Sequence, residues 1–161
     1  MADSSTLLRE VVKTKACGLL KVFIQGDIWS RAGKAVLVTV HDAGSSHAAM
    51  LRFTRSEPAL AHLLNASVWL HLSLPGMEPG EPDLPCEYPE LDELANGIAE
   101  LLDAFSVPTV MGLGEGLGTN VLIRFGLLHP NRCLGLVLVD PIAGTARTEE
   151  HLRHTPYNCT R

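Results

Sequence analysis

The sequence predicts an α/β fold built on a mostly parallel sheet, and three observations predict it. Short, strongly apolar runs recur along the chain at Ala35–Val40, Ser67–Leu74, Val107–Leu113 and Leu134–Val139. Runs of this length with little polar alternation read as strands buried on both faces, as in a parallel sheet. Helical stretches separate them, which is the βαβ order of such folds. Ahead of them, Val11–Ala16 and Leu19–Gln25 flank Cys17-Gly18 and read as an antiparallel hairpin.

The 161 residues are 46% hydrophobic and 19% charged, which suits one domain with a real core. In order, the hairpin leads to strand Ala35–Val40, which ends in polar His41-Asp42. Glu57–Asn65 reads as a short helix, and Ser67–Leu74 as the next strand, stopped by Pro75-Gly76. Residues 75 to 89 hold five prolines and read as a long loop. The clearest helix follows. Leu91, Leu94, Ala95, Ile98, Leu101, Leu102 and Phe105 keep helical spacing, and Glu90, Asp92 and Glu93 suit its first turn. Gly97 costs this helix about 1 kcal/mol relative to Ala. Strand Val107–Leu113, helix Leu117–Leu128 (stopped by Pro130) and strand Leu134–Val139 complete the pattern. The expected organisation is a tail over 1–10, one domain over 11–145 and a poorly ordered tail over 146–161.

Several classes of function are excluded by composition. Lys and Arg number 13 against 18 acids, with no basic run, so phosphate neutralisation has no platform and nucleic acid is not an expected partner. No apolar stretch reaches a membrane-spanning length. The start lacks a secretory signal, so the expected location is the cytoplasm. Cys17, Cys86, Cys133 and Cys159 are too far apart in sequence for paired metal ligands and read as reduced thiols.

In a parallel α/β sheet, ligands sit beyond the carboxyl ends of the strands. Two segments fall there. The first is Gly112-Leu113-Gly114-Glu115-Gly116-Leu117-Gly118, between a strand and a helix. Its spacing fails the dinucleotide G-x-G-x-x-G, and Glu115 would repel a pyrophosphate. It has no Lys for a phosphate-binding loop. It does fit the small-x-nucleophile-x-small turn of α/β-hydrolases, in two registers, centred on Gly114 or on Gly116. In both, the central residue is Gly, so the expectation is an elbow with no nucleophile and no catalysis. The second segment is His41-Asp42-Ala43-Gly44-Ser45-Ser46-His47, placed where hydrolases supply an oxyanion-hole amide. A dyad of His41 or His47 with Ser45 or Ser46 lacks an orienting group. A zinc site from His41, His47 and His71 lacks a fourth ligand. The expected role of the segment is to tie down its loop by hydrogen bonds. Asp140 reads as a turn residue before Pro141. No cofactor or metal is expected.

These motifs, in order, resemble the N-myc downstream-regulated (NDRG) family. His41-Asp42-Ala43-Gly44 with His47 is similar to the family's H-D-x-G-x-N-H, and Tyr88-Pro-Glu-Leu-Asp-Glu-Leu-Ala95 to its Y-P-S-M-D-Q-L-A. Gly112, Gly114, Gly116 and Gly118 resemble its G-x-G-x-G-A-G. Arg124-Phe125, Leu127, Pro130 and Gly135–Val139 resemble its R-F-A-L-x-x-P-x-x-V-x-G-L-V-L-x-N. Ser46, Ser73, Leu117 and Asp140 depart from the pattern. The resemblance implies an α/β-hydrolase fold without hydrolase activity, acting in signalling, differentiation or stress response through protein contacts. It also implies that the family's cap and last strands are missing here, with self-association through the exposed sheet edge. An unorthodox hydrolase using Ser45 or Asp42, and a non-functional truncated product, are the alternative expectations.

Overall fold

The computed structural model describes residues 7–80 and 88–142. The expected tail over 146–161, Cys86 and Cys159 lie outside the described residues. Strands β1 (Leu7–Thr14) and β2 (Gly18–Gln25) form the hairpin, followed by β3 (Ala35–Val40), β4 (Ser67–Ser73), β5 (Val110–Glu115) and β6 (Cys133–Val139). The sheet order is β1-β2-β4-β3-β5-β6. β1 pairs antiparallel with β2, and β2 with β4, while β3 pairs parallel with β4 and β5, and β5 with β6. The α/β fold with a hairpin and a mostly parallel remainder is therefore present.

Helices cover both faces. Helix α1 (His47–Ser56) and helix α2 (Ala61–Ala66) place Met50 and Leu64 on one face, with Leu37, Trp69 and Leu113. Helix α3 (Leu91–Ala104) and helix α4 (Leu117–Leu128) bury Leu94, Ile98, Leu101, Val121 and Phe125 against Val36, Val38, Val68 and Leu70 on the other. Alternation along β3 and β4 sorts the two sets, since successive side chains point to opposite faces. Every residue of β4 is buried, as a central strand requires.

The bounds of α4 are those expected, and those of β3 also. Other elements differ, each for a physical reason. β1 starts at Leu7 rather than Val11, so Leu7–Glu10, placed by sequence in the tail, pair with Val22–Gln25. Helix α1 was not expected. Only Met50 and Thr54 of it are buried, too narrow a stripe to read as amphipathic. The helix expected over Glu57–Asn65 is split. Pro58–Leu60 is a 3₁₀ turn whose Ala59 amide donates to the Glu57 carboxylate, and α2 follows it.

β5 begins at Val110 rather than Val107 and runs on to Glu115. Pro108 has no N–H for a ladder. The carbonyls of Val107 and Pro108 instead accept from the Arg132 guanidinium, at 2.8 and 2.7 Å, and the Val110 amide donates to the Arg132 carbonyl at 2.9 Å. The glycine in α3 also has a reason. A β-carbon at Gly97 would collide with the Cys17 Sγ at the hairpin turn and lie 3.0 Å from Leu20.

Arg132 thus joins the turn before β5 to the turn before β6, and its third bond, to Asp103, is solvent-exposed on the Asp side. The exposed ion pair contributes little. The two carbonyls carry the effect, so Arg132→Ala is expected to cost about 1–3 kcal/mol. A urea unfolding midpoint unchanged from the parent would contradict that.

Candidate functional site

The chain runs from β3 to β4 on one side and then crosses β3 to reach β5 on the other. That reversal opens a crevice at the carboxyl ends of β3, β4 and β5, where α/β sheets hold ligands. His41-Asp42 leave β3 there, Leu74 leaves β4, and Gly116 leaves β5.

Gly116 is the only residue between β5 and α4, with φ 52° and ψ −118°. An L side chain is strained in that region. Its amide donates to the Val139 carbonyl at 3.1 Å, and its carbonyl accepts from the amide and hydroxyl of Thr119 at 3.0 and 2.6 Å. The flanking glycines are set by packing. A β-carbon at Gly118 would strike the Val40 carbonyl oxygen and lie 2.8 Å from the His41 oxygen. One at Gly114 would lie 3.0 Å from the Gly118 backbone, and one at Gly112 would lie 2.7 Å from Leu136. The start of α4 therefore lies directly on the end of β3. Glu115 is half-buried at the end of β5, in register with Val139.

Asp42 faces this turn. Its Oδ1 accepts from the Leu117 amide at 2.7 Å and from the Ala43 amide at 2.8 Å. Two N–H groups converge on one oxygen at the first turn of α4.

His41 is fully buried and both its nitrogens are engaged. Nε2 accepts from the Leu74 amide at 3.0 Å, so Nδ1 carries the proton and donates to the Asp42 carbonyl at 2.8 Å. Burial pushes its pKa down, against the opposing pull of the Asp42 carbonyl and Glu78. His47 starts α1 and stacks flat on Phe23, with ring centroids 3.3 Å apart. Its Nδ1 lies 2.6 Å from Glu78 Oε1. Burial raises the Glu78 pKa, but its hydrogen bonds, headed by that from His47, more than offset this and leave it lowered. Gly44 turns the loop at φ 73° with open space around it.

Ser45 donates its amide to the Asp42 carbonyl, and Ser46 precedes α1 without a side-chain capping bond. Among the described residues no histidine nitrogen is bonded to either serine. His71 lies in β4, with Nδ1 on Thr39 Oγ1 at 2.8 Å. Among the described residues no three His, Cys, Asp or Glu side chains gather as a metal site. Asp140 follows β6 with φ 49°.

Two participants were not singled out from sequence. Glu78 lies in the proline-rich loop, 31 residues from its partner His47. Thr119 is fully buried, and its hydroxyl also accepts from the Ile142 amide at 3.0 Å, joining the turn to the segment after β6. Neither carries a local pattern that marks it. A Thr in the first turn of a helix after a glycine cluster is the nearest signal.

The comparisons with known proteins bear on this geometry. The sequence pattern of the Ndr family matches residues 10–156. The chain belongs to the Ndr family. ZK1073.1 of Caenorhabditis elegans is 36% identical over 148 residues, which is 92% of this chain and 45% of that protein. Protein NDRG2 of Bos taurus is 33% identical over 109 residues, which is 66% of this chain and 30% of that protein. The chain thus spans less than half the length of these relatives. A hydrolase from Pseudomonas aeruginosa superposes with a TM-score of 0.71 at 22% identity, covering 94% of this chain and 52% of that one. The fold is α/β-hydrolase-like. No described helix is long and apolar enough to cross a membrane.

Gly118→Ala is expected to cost about 3 kcal/mol or more, because backbone has to move to admit one methyl group. Gly44→Ala, in open space, should cost only the penalty for its backbone angle, about 1–2 kcal/mol. Equal urea midpoints for the two variants would contradict the packing argument.

The buried histidines set an acid limit. His71 is held down to about 3 by burial, with the nearby charges of His47 and Arg55 acting in the same direction, and His41 is also lowered. Unfolded histidine takes up a proton near pH 6.5. The unfolded chain therefore binds more protons than the folded one below that pH, and stability falls as pH falls. For His71 the expected loss runs from about pH 6.5 toward about 3, at roughly 1.4 kcal/mol per pH unit, and His41 acts in the same direction. Urea midpoints across that range, compared with those of His71→Asn, check it. The variant should show the shallower slope.

Proposed function

We propose that the chain is a non-catalytic member of the Ndr family that acts in cytoplasmic signalling, differentiation or stress response through protein contacts. The observation that carries this reading is Gly116. It stands between a strand and a helix, flanked by Gly114 and Gly118, with φ 52° and ψ −118°, a backbone conformation strained for any residue with a side chain. In α/β-hydrolases the nucleophile occupies such a strand-to-helix turn. The positive φ supports reading Gly116, rather than Gly114, as the counterpart of the nucleophile. A glycine there presents nothing that can attack an acyl carbon, and loss of a catalytic group costs several powers of ten in rate.

The alternative hydrolase reading, through Ser45 or Asp42, finds little support. Both nitrogens of His41 are engaged by the backbone, and among the described residues no hydrogen bond joins His47 to Ser45 or Ser46, although Glu78 on its Nδ1 is the orienting carboxylate that the sequence did not show. The expected result is no turnover of a nitrophenyl ester and no labelling by a serine-directed fluorophosphonate. Turnover that disappears in Ser45→Ala, or stoichiometric labelling of any serine, would overturn the proposal.

Self-association forms part of the same reading. Among the described residues β6 pairs only with β5, and Leu134, Val137 and Val139 on it are exposed. An apolar edge strand without charge is a template for pairing with a second copy. Light scattering should give a mass above that of one chain, reduced by Val137→Lys. A monomeric parent chain would remove this part of the proposal.

A further inference from the structure

The turn at Gly116 is closed by more than a missing side chain. A β-carbon placed on Gly116 would lie 2.6 Å from Asp42 Oδ2 and nearer still to Cγ and Oδ1. The carboxylate therefore occupies the volume into which any side chain at position 116 would grow. The same Oδ1 takes the amides of Leu117 and Ala43. In α/β-hydrolases the amide of the residue after the nucleophile, with one from the loop after the third strand, holds the oxyanion. Leu117 follows Gly116, and Ala43 is in the loop after β3.

We infer that Asp42 is a built-in plug, whose carboxylate fills the space of a side chain at position 116 and takes the two amides that would otherwise meet an oxyanion. Three features hold it there. His41 is pinned by the Leu74 amide and returns a bond to the Asp42 carbonyl, so the backbone at Asp42 is fixed. The Leu117 amide, at the start of α4, donates to the carboxylate at 2.7 Å. The Ala43 amide belongs to the next residue, so its bond to the carboxylate closes locally. Positions 42 and 116 are consequently coupled: the Asp requires the Gly. This coupling goes beyond the lack of a nucleophile, because it holds whatever the protein does and would defeat a serine restored at position 116.

The test is a double-mutant cycle on the full chain with Gly116→Ser, Asp42→Gly and both together, read as thermal midpoints. With Asp42 present, Gly116→Ser should lower the midpoint sharply or prevent folding. With Gly at position 42, the same change should cost much less, leaving only the backbone strain. Equal shifts in the two backgrounds, or a Gly116→Ser protein that melts like the parent, would overturn the inference. A second measurement covers poor folding of the glycine variant. In Asp42→Asn the Leu117 amide loses a charged acceptor, so its proton resonance should move upfield, and an unchanged resonance would also overturn the inference. Failure of this cycle leaves the labelling result at Gly116 untouched, so the two readings fail separately.

Discussion

Where helix α4 begins, its backbone lies against the last residues of β3 so closely that position 118 admits no β-carbon. The rest of the crevice depends on that approach. It places the Leu117 amide within 2.7 Å of the Asp42 carboxylate, 75 residues away in sequence. It leaves Gly116 to make the turn alone. It brings the Thr119 hydroxyl to both the Gly116 carbonyl and the Ile142 amide, which ties β5, α4 and the end of β6 together. A larger residue at 118 would force backbone to shift where α4 meets β3, and one at 114 would crowd the Gly118 backbone.

The side chains that bear chemistry in this crevice are used as ties. His41 joins the ends of β3 and β4 as a neutral imidazole, with one nitrogen donating and the other accepting. His71 sits between Thr39 and Gln25 across the middle strands. A buried polar group is costly unless paired, and these pairs satisfy the histidines without requiring charge. The same commitment removes them as bases. A histidine whose two nitrogens are already engaged, by the backbone in His41 and by side chains in His71, is not free to take a proton from a serine.

Much of the fold was legible in the sequence. The apolar runs of β3 and β4 and the bounds of α4 follow from period and length, because burial on both faces leaves a local imprint. The glycine cluster was legible as a strand-to-helix turn, though its register was open between Gly114 and Gly116. Helix α1 was not legible. It rests two side chains, Met50 and Thr54, on the sheet, and one of them is polar. The start of β5 was misplaced because Arg132, from a later turn, claims the carbonyls that a strand at Val107 would have used.

By itself, then, the sequence determined the class of the fold, the order of its elements and a glycine-rich turn between a strand and a helix. Such features arise from local periodicity and from the residue types that tight turns demand. Tertiary structure alone decided which glycine carries the positive φ, which carboxylate faces it and which partners engage the histidines. Those outcomes depend on contacts between segments tens of residues apart, set by how α4 docks on β3, and no local pattern in either segment encodes the distance between them.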